Sequence, residues 1–102
     1  MPGWVKMATV EELELGRAVE FVHDGRIYAL FHVDGVISAV DGLCPHQGGP
    51  LADGELSGSC VTCPWHGWQF DVHTGSTPIN KKIRLPVFEV RVDGPNVLVS
   101  VP

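Results

Sequence analysis

Two stretches decide how this chain is read: CPHQGGPL, residues 44–51, and CPWHGWQF, residues 63–70. Cys44 and His46 stand in the first as C-x-H. Cys63 and His66 stand in the second as C-x2-H, with sixteen residues, Gln47 to Thr62, between the pairs. The whole chain of 102 residues holds only three cysteines and five histidines. Four unrelated side chains would have to fall by chance into two proline- and glycine-rich loops of the same make-up. A shared metal site is the more economical reading. A structural zinc ion accepts two thiolates and two imidazoles. Zinc fingers, however, pair cysteine with cysteine and histidine with histidine. Here each loop brings one soft and one borderline ligand.

That mixture suits a two-iron cluster in which one iron takes two thiolates and the other two imidazoles, so that each loop spans both metals. With C-x-H, a spacer of this size and C-x2-H, the chain resembles the Rieske iron–sulfur proteins. CPHQGGPLADGEL from Cys44 and CPWHGWQFDVHTG from Cys63 carry the resemblance, which is close over residues 41–75 and looser over the rest. It implies one [2Fe–2S] cluster, with Cys44 and Cys63 on an inner iron and His46 and His66 on an outer iron near the surface. Two ferric ions and two sulfides carry a charge of about +2, which two thiolates neutralise and four would turn to about −2. A neutral centre accepts an electron more readily than an anionic one, so the potential exceeds that of four-cysteine ferredoxins. Reduction makes the imidazoles more basic, which couples electron uptake to proton uptake at raised pH.

Neighbours of the ligands discriminate within the resemblance. The high-potential type, of cytochrome bc complexes, has an extra cysteine in each loop, and these form a disulfide. Gly49 and Trp65 stand at the matching positions here, so no such bridge is expected. The high-potential type also has a serine and a tyrosine whose hydroxyls stabilise the reduced cluster. Trp68 and Phe70 replace them. The potential is therefore expected at the low end of the family range, roughly −150 mV. This pattern resembles the ferredoxins of multicomponent aromatic-ring dioxygenases. It implies an electron carrier without a catalytic reaction of its own, passing electrons from a flavin-dependent reductase to a terminal oxygenase. A small Rieske-like subunit of an assimilatory nitrite reductase is the second reading, and a zinc module the third.

Outside the loops the chain reads as short strands punctuated by turns. Asp24-Gly25 lies between AVEFVH and RIYALFHV, Asp34-Gly35 between YALFHV and VISAV, and Asp93-Gly94-Pro95 between VFEVRV and NVLVSV. Each is a hairpin signal, because such turns need positive φ. In VFEVRV, alternation turns Phe88, Val90 and Val92 toward a core and Val87, Glu89 and Arg91 away from it. The one helical candidate is ATVEELELG, where Thr9 and Glu12 form a capping-box pattern and Gly16 can close the turn. The expected architecture is all-β: an antiparallel sandwich or small barrel. One domain is expected over residues 1–102, with a cluster-binding subdomain at about 41–77 made of two loops on a small sheet. ELSG, CVTC and WQFDV supply its strands.

The bulk properties agree with a docking protein. Seven basic residues against twelve acidic ones leave a net charge of −5, which disfavours nucleic acid and suits transient contact with basic protein surfaces. No leader-like start or membrane-length apolar run is visible, and a cytoplasmic protein is expected. No small-molecule substrate is implied. Cys60, His23, His32 and His73 have no partner in a metal-binding pattern and are assigned structural roles, Cys60 as a small buried side chain. Trp65 either shields the cluster or lies on the docking face with Pro45, Gln47 and Pro64. NKKIR, residues 80–84, reads as a solvated basic run. STPIN, residues 76–80, takes the place of the proline-rich third loop that covers the cluster in the family.

Overall fold

Antiparallel pairing runs throughout the structure, a computed structural model that describes every residue except 1–2, 15–17, 34, 45–47, 66 and 79–81. In chain order the elements are β1 (Gly3–Thr9), α1 (Val10–Glu14), β2 (Val19–His23), β3 (Arg26–Val33) and β4 (Val36–Asp41). A 3₁₀ turn (Leu51–Asp53) leads to β5 (Glu55–Ser57), β6 (Cys60–Thr62) and β7 (Gln69–Asp71). β8 (Val87–Phe88), β9 (Val90–Asp93) and β10 (Asn96–Val101) close the chain. They form three sheets, in the orders β1-β10-β9, β2-β3-β4-β8 and β5-β6-β7.

All three expected hairpins are present. β2 and β3 pair in register up to His23 opposite Arg26, across Asp24 and Gly25. Both turn residues are in the left-handed region, with φ of 52° and 78°, as a two-residue connection between twisted strands requires. β3 meets β4 at Val33 and Val36, and β9 meets β10 at Asp93 and Asn96. Asp34 lies outside the described residues. The helical stub is capped as its sequence indicates: the Thr9 N–H donates to Glu12 Oε1 at 2.9 Å, and the Glu12 N–H donates to Thr9 Oγ1 at 3.3 Å. Gly16, the expected stop, lies outside the described residues.

β3 explains how the sheets stack. Its run of apolar residues does not alternate with polar ones because both faces are covered. Tyr28 and Leu30 face one way and join Met7, Leu13, Val97 and Val99 in one core. Ala29, Phe31 and Val33 face the other way and join Leu51, Val61, Phe70, Val72 and Leu85 in a second. The four-stranded sheet is therefore a middle layer, with the β1-β10-β9 sheet on one face and the β5-β6-β7 sheet on the other. Burial of each large side chain in these cores contributes roughly 1.5–3 kcal/mol.

VFEVRV departs from the uniform strand expected of it. It divides at Glu89: β8 pairs with β4 in the middle sheet, and β9 pairs with β10 in the outer one. The Glu89 carbonyl accepts from the Ser100 N–H at 2.9 Å, so one segment stitches two sheets together. Phe88 and Val90 pack on the core as expected. Val92 does not: it is 50% exposed, because β9 is the outermost strand of its sheet.

Candidate metal centre

The two cysteines of the loops belong to the second core. Cys44 and Cys63 are 2% and 1% exposed, pack with Leu51, Val61 and Phe70, and are unbridged. Cys44 is delivered by β4. After Asp41, the Gly42 N–H donates to the Ile27 carbonyl and the Leu51 N–H to the Gly42 carbonyl, both at 2.9 Å. Leu43 then pairs with Pro50, closing the loop at its base. Inside it the Cys44 N–H donates to the Gly49 carbonyl at 2.8 Å, and the Gly48 N–H to the Cys44 carbonyl at 2.7 Å. Cys63 is delivered by β6, and its N–H donates to the Trp68 carbonyl at 2.6 Å. His46 and His66, with Pro45 and Gln47, lie outside the described residues.

The environment of the thiols is apolar and tight. Burial pushes the Cys63 thiol up; the Trp65 N–H, 3.4 Å from Cys63 Sγ, works against this, and the neighbouring Cys44 adds to the rise. A thiol kept protonated by burial becomes a ligand when a cation displaces its proton. Gly49 completes the cradle. A Cβ at this position would stand 2.7 Å from Cys63 Sγ, 3.1 Å from Trp65 Cγ and 3.2 Å from Trp65 Cβ. Positions 49 and 65 thus face each other, as the resemblance implies, and with glycine and tryptophan there no disulfide joins them.

A pair of buried, unbridged thiols from two loops, held side by side with an N–H aimed at one sulfur, fits the thiolate end of a two-iron cluster. The sequence pattern of the Rieske [2Fe-2S] domain matches residues 3–89, and the chain belongs to that family. Its cofactor is one [2Fe–2S] cluster of the Rieske type. Among relatives, the ferredoxin component of the naphthalene 1,2-dioxygenase/salicylate 5-hydroxylase systems of a Ralstonia species is 33% identical over 100 residues, covering 95% of this chain and 94% of the relative. A solved complex of reduced oxygenase and oxidized ferredoxin in carbazole 1,9a-dioxygenase contains a chain with TM-score 0.87 and 29% identity, over 95% of this chain and 92% of that one. A putative NADH-dependent nitrite reductase small subunit from Mycobacterium tuberculosis has TM-score 0.85 and 25% identity, over 100% of this chain and 97% of that one.

The other residues singled out in the sequence fall as follows. Cys60 lies on β6, so CVT of CVTC is strand, as its sequence suggests. It is half-buried where full burial is expected, because Val61, its neighbour, takes the inward face. His32 and His73 are structural: His32 Nδ1 lies 3.2 Å from the Leu13 carbonyl, and His73 Nδ1 lies 2.6 Å from Ser38 Oγ. Trp65 is 49% exposed, whereas Trp68 is partly buried and stacks at a tilt on Phe70 with ring centroids 6.3 Å apart. In NKKIR, Lys82 and Arg84 are exposed, and Arg84 pairs with Ser76 in an isolated bridge. The third loop lies partly outside the described residues, and within it Thr77 is buried and Pro78 exposed.

Two features were not read from the sequence. Ser38 is a buried hydroxyl on the face of β4 that meets the small sheet, and the His73 ring ties the two together. Beside it, Asp71 organises the turn after β7. Asp71 Oδ1 accepts from the N–H groups of His73 at 2.8 Å and Thr74 at 3.1 Å, and Oδ2 from the Ser59 hydroxyl at 3.0 Å. Desolvation acts to raise the Asp71 pKa, but these three donors and the nearby His73 charge together hold it below its ordinary value of 3.8. A depressed carboxylate contributes stability above its unfolded pKa and loses it as pH falls through the folded one. Asp71→Asn is therefore expected to lower the urea midpoint at pH 7, and the gap to the parent chain should close as pH falls below about 4. A gap that stays constant over that range would contradict the assignment.

Proposed function

We propose that this chain is a one-electron carrier in which Cys44 and Cys63 hold one iron of the cluster and His46 and His66 the other. The observation that carries the reading is the pair of buried thiols, brought together by two loops at the spacing of a Rieske site. When bound, the cluster takes up and releases one electron. The chain's residues supply the rest. Two thiolates and two neutral imidazoles leave the oxidised centre near zero charge. Apolar packing by Leu51, Val61 and Phe70 keeps water from the sulfur side. Leu43, Pro64 and Trp65 are exposed beside the thiols and offer an apolar rim for brief contact with a partner.

The partner that the comparisons favour is a terminal Rieske oxygenase, since a ferredoxin of this fold is seen with its oxygenase in the carbazole system. A flavin-dependent reductase supplies the electrons, and the shuttle works in the cytoplasm. No helix among the described residues is long and apolar enough to cross a membrane. The 102 residues act as one domain, with the cluster-binding part at about 41–77. Likeness to the nitrite reductase small subunit supports a second reading, as part of an enzyme assembly. Co-purification with a sirohaem protein would favour it. Reduction by a flavoprotein that then feeds an oxygenase favours the carrier.

The ligand assignment has its own test. Reduced protein should give an EPR signal whose average g lies below that of four-sulfur clusters. His66→Cys or His46→Cys adds negative charge and should lower the potential by on the order of 100 mV, since full cysteine ligation brings such clusters to about −400 mV. A titration that shows no downward shift would overturn the charge argument.

A further inference from the structure

Trp65 has two sides. About half of it is exposed, and the other half is committed to the site. Backbone hydrogen bonds close each cysteine loop on itself, from the Cys44 N–H to Gly49 and the Gly48 N–H to Cys44 in the first and from the Cys63 N–H to Trp68 in the second, while the Cys44 and Cys63 side chains meet across the loops. Packing joins them. The root of the Trp65 side chain lies on the bare face of Gly49, where a Cβ would meet Trp65 Cγ at 3.1 Å and Trp65 Cβ at 3.2 Å. Cys63 Sγ occupies the same face, at 2.7 Å from that hypothetical atom, and the Trp65 N–H points at it from 3.4 Å. Ring, glycine and sulfur therefore pack as one unit drawn from both loops.

We propose that Trp65 is a positioning residue: seated on Gly49, it clasps the two cysteine loops together and sets the distance between the thiolates of Cys44 and Cys63. The inference rests on reading those cysteines as ligands. An aromatic ring has the area and stiffness for the task. With only two side-chain torsions it loses little freedom when seated, and the root of the ring fits against a backbone without a side chain. The contact is local to the two cysteine loops. Its loss acts on the cysteine edge of the second core and leaves the first core, around Tyr28 and Leu30, untouched.

The test uses iron-loaded protein and the variants Trp65→Ala, Trp65→Phe and Cys63→Ser. Release of the cluster to a ferrous chelator is followed by visible absorbance, the reduced state by EPR and the fold by thermal melting. Trp65→Ala should release its cluster about tenfold faster, a change equivalent to about 1.4 kcal/mol, while its melting temperature stays close to that of the parent. Its EPR lines should broaden or split as the sulfur positions spread. Trp65→Phe should restore the parent behaviour to within about threefold, because a phenyl ring still covers Gly49. Parent-like release and EPR in Trp65→Ala would overturn the clasp. So would Trp65→Phe behaving as Trp65→Ala, or a defect confined to reduction of the oxygenase, which would make the ring a docking residue only. An unchanged cluster in Cys63→Ser would instead overturn the ligand assignment.

Discussion

Gly49→Ala should yield a folded chain that has lost most of its iron and sulfide. The added methyl would stand 2.7 Å from Cys63 Sγ and against the root of Trp65. Carbon and sulfur do not approach so closely, since favourable separations begin at about 3.5 Å. A free thiol can rotate away from such an intruder. On the proposed ligation a thiolate held by iron could not, because the cluster and the second cysteine would set its position. Backbone conformation is not the obstacle, for Gly49 is not among the glycines with positive φ. The effect is therefore steric and confined to the site. Overpacking of this kind costs about 1–3 kcal/mol, or roughly ten- to hundredfold in cluster retention. Iron and acid-labile sulfide per chain, read beside a far-ultraviolet dichroism spectrum, check it. Full cluster content in Gly49→Ala would mean that Gly49 does not wall the sulfur site.

The family was legible from the two Cys/His pairs and their spacing, because ligation constrains residue identity directly. The hairpins were legible because a two-residue turn needs Asp-Gly or its equivalent, and the capping box because Thr9 and Glu12 satisfy each other within one turn. Gly49 was legible only as a residue that replaces a cysteine. Its second role, as the wall of the sulfur site, depends on Trp65 and Cys63 meeting it from a loop more than a dozen residues away. The stacking order was hidden for a similar reason. RIYALFHV reads as a strand, but its lack of alternation does not say which residues face which core until both covering sheets are in place. Val92 shows the converse: alternation names a face, not whether anything lies on it. The Ser38–His73 bond was unreadable because 35 positions separate the two residues and no local pattern names Ser38 as the partner of His73.

Gly75→Ala should be strongly destabilising although it lies outside the two Cys/His loops. The residue ends the turn organised by Asp71, and its carbonyl accepts from the Leu85 N–H at 2.8 Å, which leads the chain back from the small sheet to β8. Its φ is +77°, a conformation that costs a side-chain-bearing residue about 1–2 kcal/mol. A Cβ would also collide with the Leu85 carbonyl oxygen and press on Val87 Cγ2 at 3.0 Å. An oxygen in the backbone cannot swing aside as a side chain does, so relief requires that the Gly75–Leu85 bond open. Overpacking adds about 1–3 kcal/mol to the conformational cost. Of a total of about 5–15 kcal/mol for a domain of this size, that is a large share. The melting temperature should fall by on the order of 10–40 °C, at about 4–8 °C per kcal/mol. Leu85 is part of the same core as both cysteines, so loss of the cluster should accompany melting at the lower temperature. Calorimetry and the visible absorbance of the same sample separate the two events. A parent-like melting curve for Gly75→Ala would show that this turn does not hold the small sheet against the middle one.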